Sequence, residues 1–252
     1  MIPKSLAVKH QQFQIDTPGQ WLILGDLHIP QHEEGTIRLA LAEAKKLRVA
    51  GIIINGDLLD SGAISFHKRH SLAPLYADEI AMGQVFLKHL RDSFPKARII
   101  YKEGNHEERL DAYVMQNASA LAGLSGISVP EFCGLSDLGI EWVGDSRVIR
   151  LGKLSVIHGH EYRGSGGVNP ARWLFLRAGD CAITSHFHRT SEHHDKNITG
   201  YKPACWSIGC ACDEHPEWLP GNGWNQGFAT VYLDNKGGFE VRNRRVISGK
   251  VV

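Results

Sequence analysis

Charge excess, long apolar runs and cysteine are what this 252-residue sequence has least of. The net charge is only +1, so no global field draws the chain to nucleic acid or to a membrane surface, and any basic patch has to be local. No uninterrupted apolar stretch approaches the roughly 20 residues that span a bilayer. The opening segment, MIPKSLAVKHQQFQ, lacks the apolar core of a secretory signal. Five cysteines occur, at 133, 181, 205, 210 and 212, an odd number with three crowded into eight residues. These features point to reduced thiols in a cytoplasmic protein. The spacing of Cys205, Cys210 and Cys212 is not that of a zinc knuckle, which favours core packing over a soft metal site. A low-complexity linker and a repeat of fixed period are also missing. Residues 1–252 are therefore read as one domain, a size that a single α/β core supports.

What is present alternates between two periods. The stretches WLILGD (21–26), GIIINGD (51–57) and ARIIYKEGNHEER (97–109) each place a short apolar run before a polar turn. Residues 34–49 carry Ile37, Leu41 and Ala44 at helical spacing, 75–92 read as a helix, and a third helix is expected near 105–122. Alternating strand and helix predicts a largely parallel sheet with right-handed crossovers. The second half is strand-rich: IEWVGD, RVIRLG, KLSVIHG, CAITSH, PACWSIG, FATVYLD and FEVRNRRV, interrupted by one helix near 170–178. Two sheets packed face to face, with helices outside, accommodate both halves.

The ends of five apolar runs carry the chemistry. The first gives Asp26 and His28, two residues apart and on one side of an extended chain. The second gives Asp57 and then Asp60. The third gives Asn105 and His106. His158 follows LSVI, and His186 and His188 follow CAIT. Ligands of open α/β sheets gather at the carboxyl ends of strands. Gly25, Gly56 and Gly104 precede the loaded residues and let the backbone turn closely around a ligand. Imidazole and carboxylate together suit borderline divalent ions such as Mn, Fe, Co, Ni or Zn. Two aspartates, one asparagine and four histidines are too many ligands for one ion and suit two ions that share a carboxylate and a solvent oxygen.

The ordered series GDLH, GDLLD, GNHE, HGH and SHFH resembles the motifs of the calcineurin-like metallophosphoesterases, over residues 25 to 188. The resemblance implies a four-layer α-β-β-α sandwich with two mixed sheets and a dinuclear metal site at the strand C-terminal ends. It implies one metal on Asp26, His28, Asp57 and His188, and a second on Asp57, Asn105, His158 and His186, with Asp57 bridging. It gives His106 the part of the catalytic histidine beside the leaving group, and Asp60 that of the carboxylate that orients it. Two departures stand out. Ser185 occupies the usual glycine of the last motif. Ser61 replaces the arginine with which related protein phosphatases continue the second motif, so that anchor for a phosphoprotein dianion is missing.

The expected activity is a dinuclear metal-dependent phosphodiesterase, with manganese favoured and hydroxide shared by the two ions attacking phosphorus directly. Nucleic acid and nucleotides are among the diesters that fit. A phosphomonoesterase using the same metals is the alternative, and a non-catalytic metal-binding scaffold the third reading. His160 is open between ligand and supporting residue, and Glu107 reads as a helix-start carboxylate. For substrate, SGAISFHKRH (61–70) offers His67, and EYRGSGGVNPARW (161–173) offers Arg163 and Arg172 beside Trp173. Basic groups beside aromatics suit a phosphodiester chain with stacked bases. They equally suit a solvated basic loop around a core tryptophan.

Overall fold

The computed structural model describes residues 3–5, 11–66, 74–164, 166–196, 198–216 and 219–252. His67 lies outside the described residues. Strand β1 (Phe13–Ile15) and strand β2 (Gly19–Leu24) open the chain and enter different sheets. Helix α1 (Glu34–Leu47) then leads to β3 (Gly51–Asn55), and α2 (Tyr76–Ser93) leads to β4 (Arg98–Lys102). β2, β3 and β4 pair in parallel, with Leu22 beside Ile52 and Ile52 beside Ile99. Every residue of β3 is buried, which is why its sequence is a continuous apolar run and not an alternation.

After α3 (Glu108–Asn117) and the single turn α4 (Val129–Phe132), β5 (Ile140–Val143) completes the parallel set. The chain crosses to the other sheet as β6 (Ile149–Leu151) and β7 (Leu154–Val156). It continues through α5 (Pro170–Ala178) to β8 (Ala182–Thr184), β9 (Ser191–His194) and β10 (Ala204–Ser207). It returns as β11 (Gly227–Leu233), β12 (Phe239–Ile247) and β13 (Lys250–Val251). The strand orders are β13-β12-β11-β2-β3-β4-β5 and β1-β6-β7-β8-β10-β9, and both sheets mix parallel with antiparallel pairs.

The period of two in each strand sorts side chains into separate cores. Trp21, Ile23, Ile53 and Ile100 of the larger sheet meet Val156, Ile183 and Trp206 of the smaller one. Their neighbours Leu22, Ile52, Ile54 and Ile99 face outward against Ile37 and Leu41 of α1 and Leu87 and Leu90 of α2. On the far side, Leu174 of α5 covers Ala182 and Cys205. The result is the four-layer α-β-β-α arrangement. Four short elements, β1, β9, α4 and β13, are absent from the reading of the sequence. β9 is Ser-Glu-His-His, with no apolar alternation to mark it. α3 starts at Glu108 and stops at Asn117, inside its expected limits, and a 3-10 turn follows at Ser119–Leu121.

Helix α2 carries a buried carboxylate, Glu79, which accepts the backbone N–H of Ser61 beside the site. Burial pushes its pKa up from 4.5 to about 7, against the Ser61 hydrogen bond and with a further push from Asp60. Between these two values the native chain holds a proton that the unfolded chain has lost, so stability falls as pH rises through that window. Thermal melting from pH 5 to 8 should therefore show Glu79→Gln gaining on the wild type with rising pH. Parallel profiles would contradict this role for Glu79.

Candidate metal centre

Five strand ends meet at one edge of the sandwich: those of β2, β3 and β4 from one sheet and of β7 and β8 from the other. Asp26, His28, Asp57, His186 and His188 all have positive φ, between 48° and 66°. The left-handed region is uncommon for residues other than glycine, and such strain gathers at functional sites. Asp26 and His28 therefore do not converge as residues of an extended strand, as the sequence suggested. β2 ends at Leu24, and each of the two turns individually. Close approach requires two of the glycines. A Cβ on Gly104 would collide with Asp57, and one on Gly56 with the His158 ring.

The donors form two touching groups. His28 Nε2 and His188 Nε2 face each other at 3.2 Å, with Asp26 Oδ1 3.6 Å from His188 and Asp57 Oδ2 3.7 Å from His28. On the other side His158 Nε2 lies 3.2 Å from Asp57 Oδ2 and 3.2 Å from Asn105 Oδ1. Asp57, His158 and His186 bring their donor atoms within 4.8 Å of one another. Asp57 is common to both groups. Asp26 and Asp57 are buried, and among the described residues no Lys or Arg pairs with either. Burial pushes both carboxyls up, but His188 beside Asp26, and His158 and His106 beside Asp57, outweigh it and hold both below the usual range. Burial and His158 push His186 down to about 4, which leaves its nitrogen free of a proton at neutral pH. Burial lowers the pKa of His158 and of His188, yet Asp57 and Asp26 push His158 up to about 10 and Asp26 raises His188, so these rings give up a proton when a metal binds. Buried carboxylates beside converging imidazole nitrogens are the donor chemistry that divalent ions of the borderline class require.

Supporting contacts fix these donors. His158 Nδ1 lies 2.7 Å from the Asn55 carbonyl, which makes it the donor and leaves Nε2 for the site. Asn55 Nδ2 also reaches across the sheets to the Ile157 carbonyl (2.8 Å) and to Ser185 Oγ (2.9 Å). Ser185 donates back to the Asn55 carbonyl at 2.7 Å, so the serine in place of glycine is part of this joint. Glu161 accepts the N–H groups of His158 and Gly159 and pairs with the fully buried Lys102 at 2.8 Å. Burial raises the Glu161 carboxyl, yet Lys102 pulls it down to about 2. Glu107 is more than a helix-start carboxylate. It is buried, and it accepts from Asp57 N, Leu59 N, Gly104 N and the Tyr101 hydroxyl.

His106 sits beside the donors, within 4.8 Å of His28 and Asp57, but both its nitrogens are engaged. Nδ1 donates to the Asp60 carbonyl at 2.6 Å, and Nε2 faces Arg109 Nη2 at 3.0 Å. A guanidinium at that nitrogen leaves no room for a cation. Asp60 thus orients His106 through its backbone. Its carboxylate is 3.5 Å from His106 Nδ1 and 3.3 Å from His28 Nδ1. Burial lowers the His106 pKa, while Asp57 and Asp60 raise it above the ordinary value. His160 turns away, with Nε2 on Glu108 at 2.8 Å. Cys212, read from the sequence as core, is buried with Sγ 3.9 Å from His188 Nδ1. Arg163 and Arg172 are exposed, and the cleft next to His186 is lined instead by Phe187, Arg189 and Trp224.

No family model matches the chain, and no curated protein matches it by sequence. Among solved structures it is similar to a single mutant of Vps29 from Entamoeba histolytica, at 14% identity over 92% of this chain and 96% of that one, with a TM-score of 0.49. Yfce, a phosphoesterase from E. coli, is 13% identical over 89% of this chain and 98% of its own, with a TM-score of 0.40. The nuclease MPE of Pseudomonas putida is 14% identical over 88% and 85%, with a TM-score of 0.35. A phosphoesterase and a nuclease are thus among its structural neighbours.

Because Asp57 belongs to both donor groups, Asp57→Asn should weaken metal binding at both by more than about 100-fold, beyond the roughly 10–100-fold that loss of a supporting contact usually costs. Metal analysis after equilibrium dialysis checks this. Full retention of metal at unchanged affinity would remove Asp57 from the shared position.

Proposed function

We propose that this protein is a dinuclear metal-dependent phosphodiesterase. The carrying observation is the position of Asp57, whose carboxylate faces His28 on one side and His158 on the other. Asp26, His28, Asp57 and His188 would hold one ion, and Asp57, Asn105, His158 and His186 the other. Manganese is the expected metal, and the donor set also suits Fe, Zn, Co and Ni. Two divalent cations, when bound, supply the positive charge that acidifies water and stabilises the phosphoryl oxygens.

The chain's own residues supply positioning and the proton. Asn55 and Glu161 hold the His158 turn, so the second half-site keeps its shape while substrate enters. His106, carried on the turn before α3, is the donor to the departing oxygen. The Asp60 carbonyl holds Nδ1–H and Arg109 donates to Nε2, so the guanidinium has to leave Nε2 before that nitrogen carries the proton it gives. Arg109 is the nearest guanidinium to that position. It also supports a second reading, since a guanidinium at the leaving-group side can serve the dianion of a phosphomonoester. Ser61 argues the other way. It is buried, with its N–H on Glu79, and contributes no cation. Five free, buried cysteines fit the cytoplasmic setting expected from the sequence, and no helix among the described residues is long and apolar enough to cross a membrane.

Turnover of generic diesters and monoesters with added manganese tests the activity and its class. Diesters should be preferred in kcat/KM, and a strong monoester preference would promote the second reading. His106→Ala should keep its metal and lose up to about 10²–10⁴-fold on substrates with poor leaving groups, and much less on nitrophenyl esters. The slope of log kcat against leaving-group pKa checks this. Parallel slopes, or metal loss in the variant, would show that His106 is not the proton donor.

A further inference from the structure

A cleft of about 470 Å³ opens directly from the metal centre, because His186 lines both. Its other walls are Phe187, Trp224, Arg189, Pro170 and the bare backbone of Gly164 and Gly167. The two aromatic rings are held from behind. Phe187 packs edge-on against Trp173 with ring centres 4.9 Å apart, and Arg177 lies 4.1 Å over the Trp173 ring. Trp173 is therefore the support of the wall. Trp224 packs edge-on against His188 at 4.1 Å. The segment that carries it is bound to the last strand-end motif by three hydrogen bonds: Asn225 N to the His188 carbonyl (2.9 Å), Thr190 N to Asn225 Oδ1 (2.8 Å) and Asn225 Nδ2 to Thr190 Oγ1 (2.7 Å). Gly164 and Gly166 pass close to the rings because they carry no side chain. A Cβ on Gly166 would strike the Phe187 ring.

Arg189 gives the cleft its charge. Its guanidinium is half-buried, makes one long bond to the Gly167 carbonyl at 3.4 Å and forms no ion pair among the described residues. With no carboxylate paired to it among the described residues, Arg189 sits beside two aromatic rings and next to the proposed phosphate-hydrolysing ions, a setting that suits an anion attached to a flat ring. We infer that this cleft binds the nucleoside on one side of the scissile phosphate, with the base against Trp224 and Phe187 and a phosphate oxygen on Arg189. The substrate class is thus a nucleoside phosphate, either a free nucleotide or the end of a single strand. The assignment rests on the phosphoesterase reading for its phosphate, and on the cleft alone for its base.

Calorimetric binding to the full chain with manganese tests it, using the slowly hydrolysed uridine 5′-thiophosphate and ribose 5-thiophosphate, which differ only in the base. Stacking on an aromatic wall should favour the nucleotide by about ten-fold or more. Trp224→Leu should shrink that ratio below about three-fold, while Arg189→Gln should weaken both ligands about equally, since it removes the phosphate contact and leaves the rings. Metal content and melting of Trp224→Leu check that His188 is undisturbed. If that variant fails to fold, Phe187→Leu decides the ratio instead. A 5′-thiophosphorylated pentauridylate distinguishes the sources: binding tighter than the mononucleotide identifies a strand end, and equal binding a free nucleotide. Equal affinity for the uridine and ribose compounds, or a ratio unchanged in a folded Trp224 or Phe187 variant, would overturn the inference. Hydrolysis of bis(4-nitrophenyl) phosphate, which carries no base, is measured alongside. Its failure counts against the phosphoesterase reading and leaves the base preference to be judged on binding.

Discussion

Asp57 keeps its charge although it is 1% exposed, because His158, His28 and His106 place ring nitrogens 3.2 to 3.8 Å from its carboxylate. Burying an ion without partners costs several kcal/mol, so this carboxylate is tolerable only where imidazoles or cations surround it. The local backbone follows from that requirement. Glu107 accepts the Asp57 N–H, the His106 N–H donates to Asp57 Oδ1, and Gly104 gives the room for both. One buried anion thus ties the turns after β3 and β4 into a single unit.

The second unit belongs to the other sheet, and the joint between them is polar within an otherwise apolar sandwich. Below it, Trp21, Ile53 and Ile100 pack on Val156 and Ile183 and hold the sheets in register. At the top, Asn55 reaches the Ile157 carbonyl and Ser185, and the His158 ring returns to the Asn55 carbonyl. The two donor groups are therefore positioned by strands packed sheet on sheet and by the hydrogen bonds of the Asn55 amide nitrogen and carbonyl. This is the arrangement that electrostatic catalysis needs, since donors already in place require no reorganisation as charge develops.

The cluster at the strand ends was legible in the sequence because each of its turns follows an apolar run, and an apolar run marks a strand buried on both faces. Asp26, His28, Asp57, Asn105, His158, His186 and His188 stand out by that rule and their order, and their division between two ions rests on the resemblance of the motif series. What holds them was not legible. Asn55 and Ile157, or Lys102 and Glu161, are far apart in the chain, and their contacts exist only after the two sheets pack. The left-handed backbone at Asp26 and His28 was hidden for a related reason. Nothing local to Gly-Asp-Leu-His demands it, and it is imposed by the turns packed around it. Glu107 read as an ordinary helix start, since its burial depends on Tyr101 and on the turn carrying Asp57. The segment that carries Arg163 and Arg172 does wall the cleft beside His186, through Gly164, Gly167 and Pro170, while the two arginines themselves are exposed. Asn225, in a segment with no motif of its own, binds Thr190 and so brings Trp224 beside Arg189.

The shared position of Asp57 is the central claim, and electron paramagnetic resonance of the manganese-loaded protein tests it most directly. Two ions bridged by one carboxylate are magnetically coupled, so the account predicts two manganese per chain and the spectrum of an exchange-coupled pair. A chain that saturates with one manganese, or with two that give the spectrum of isolated ions, would contradict it.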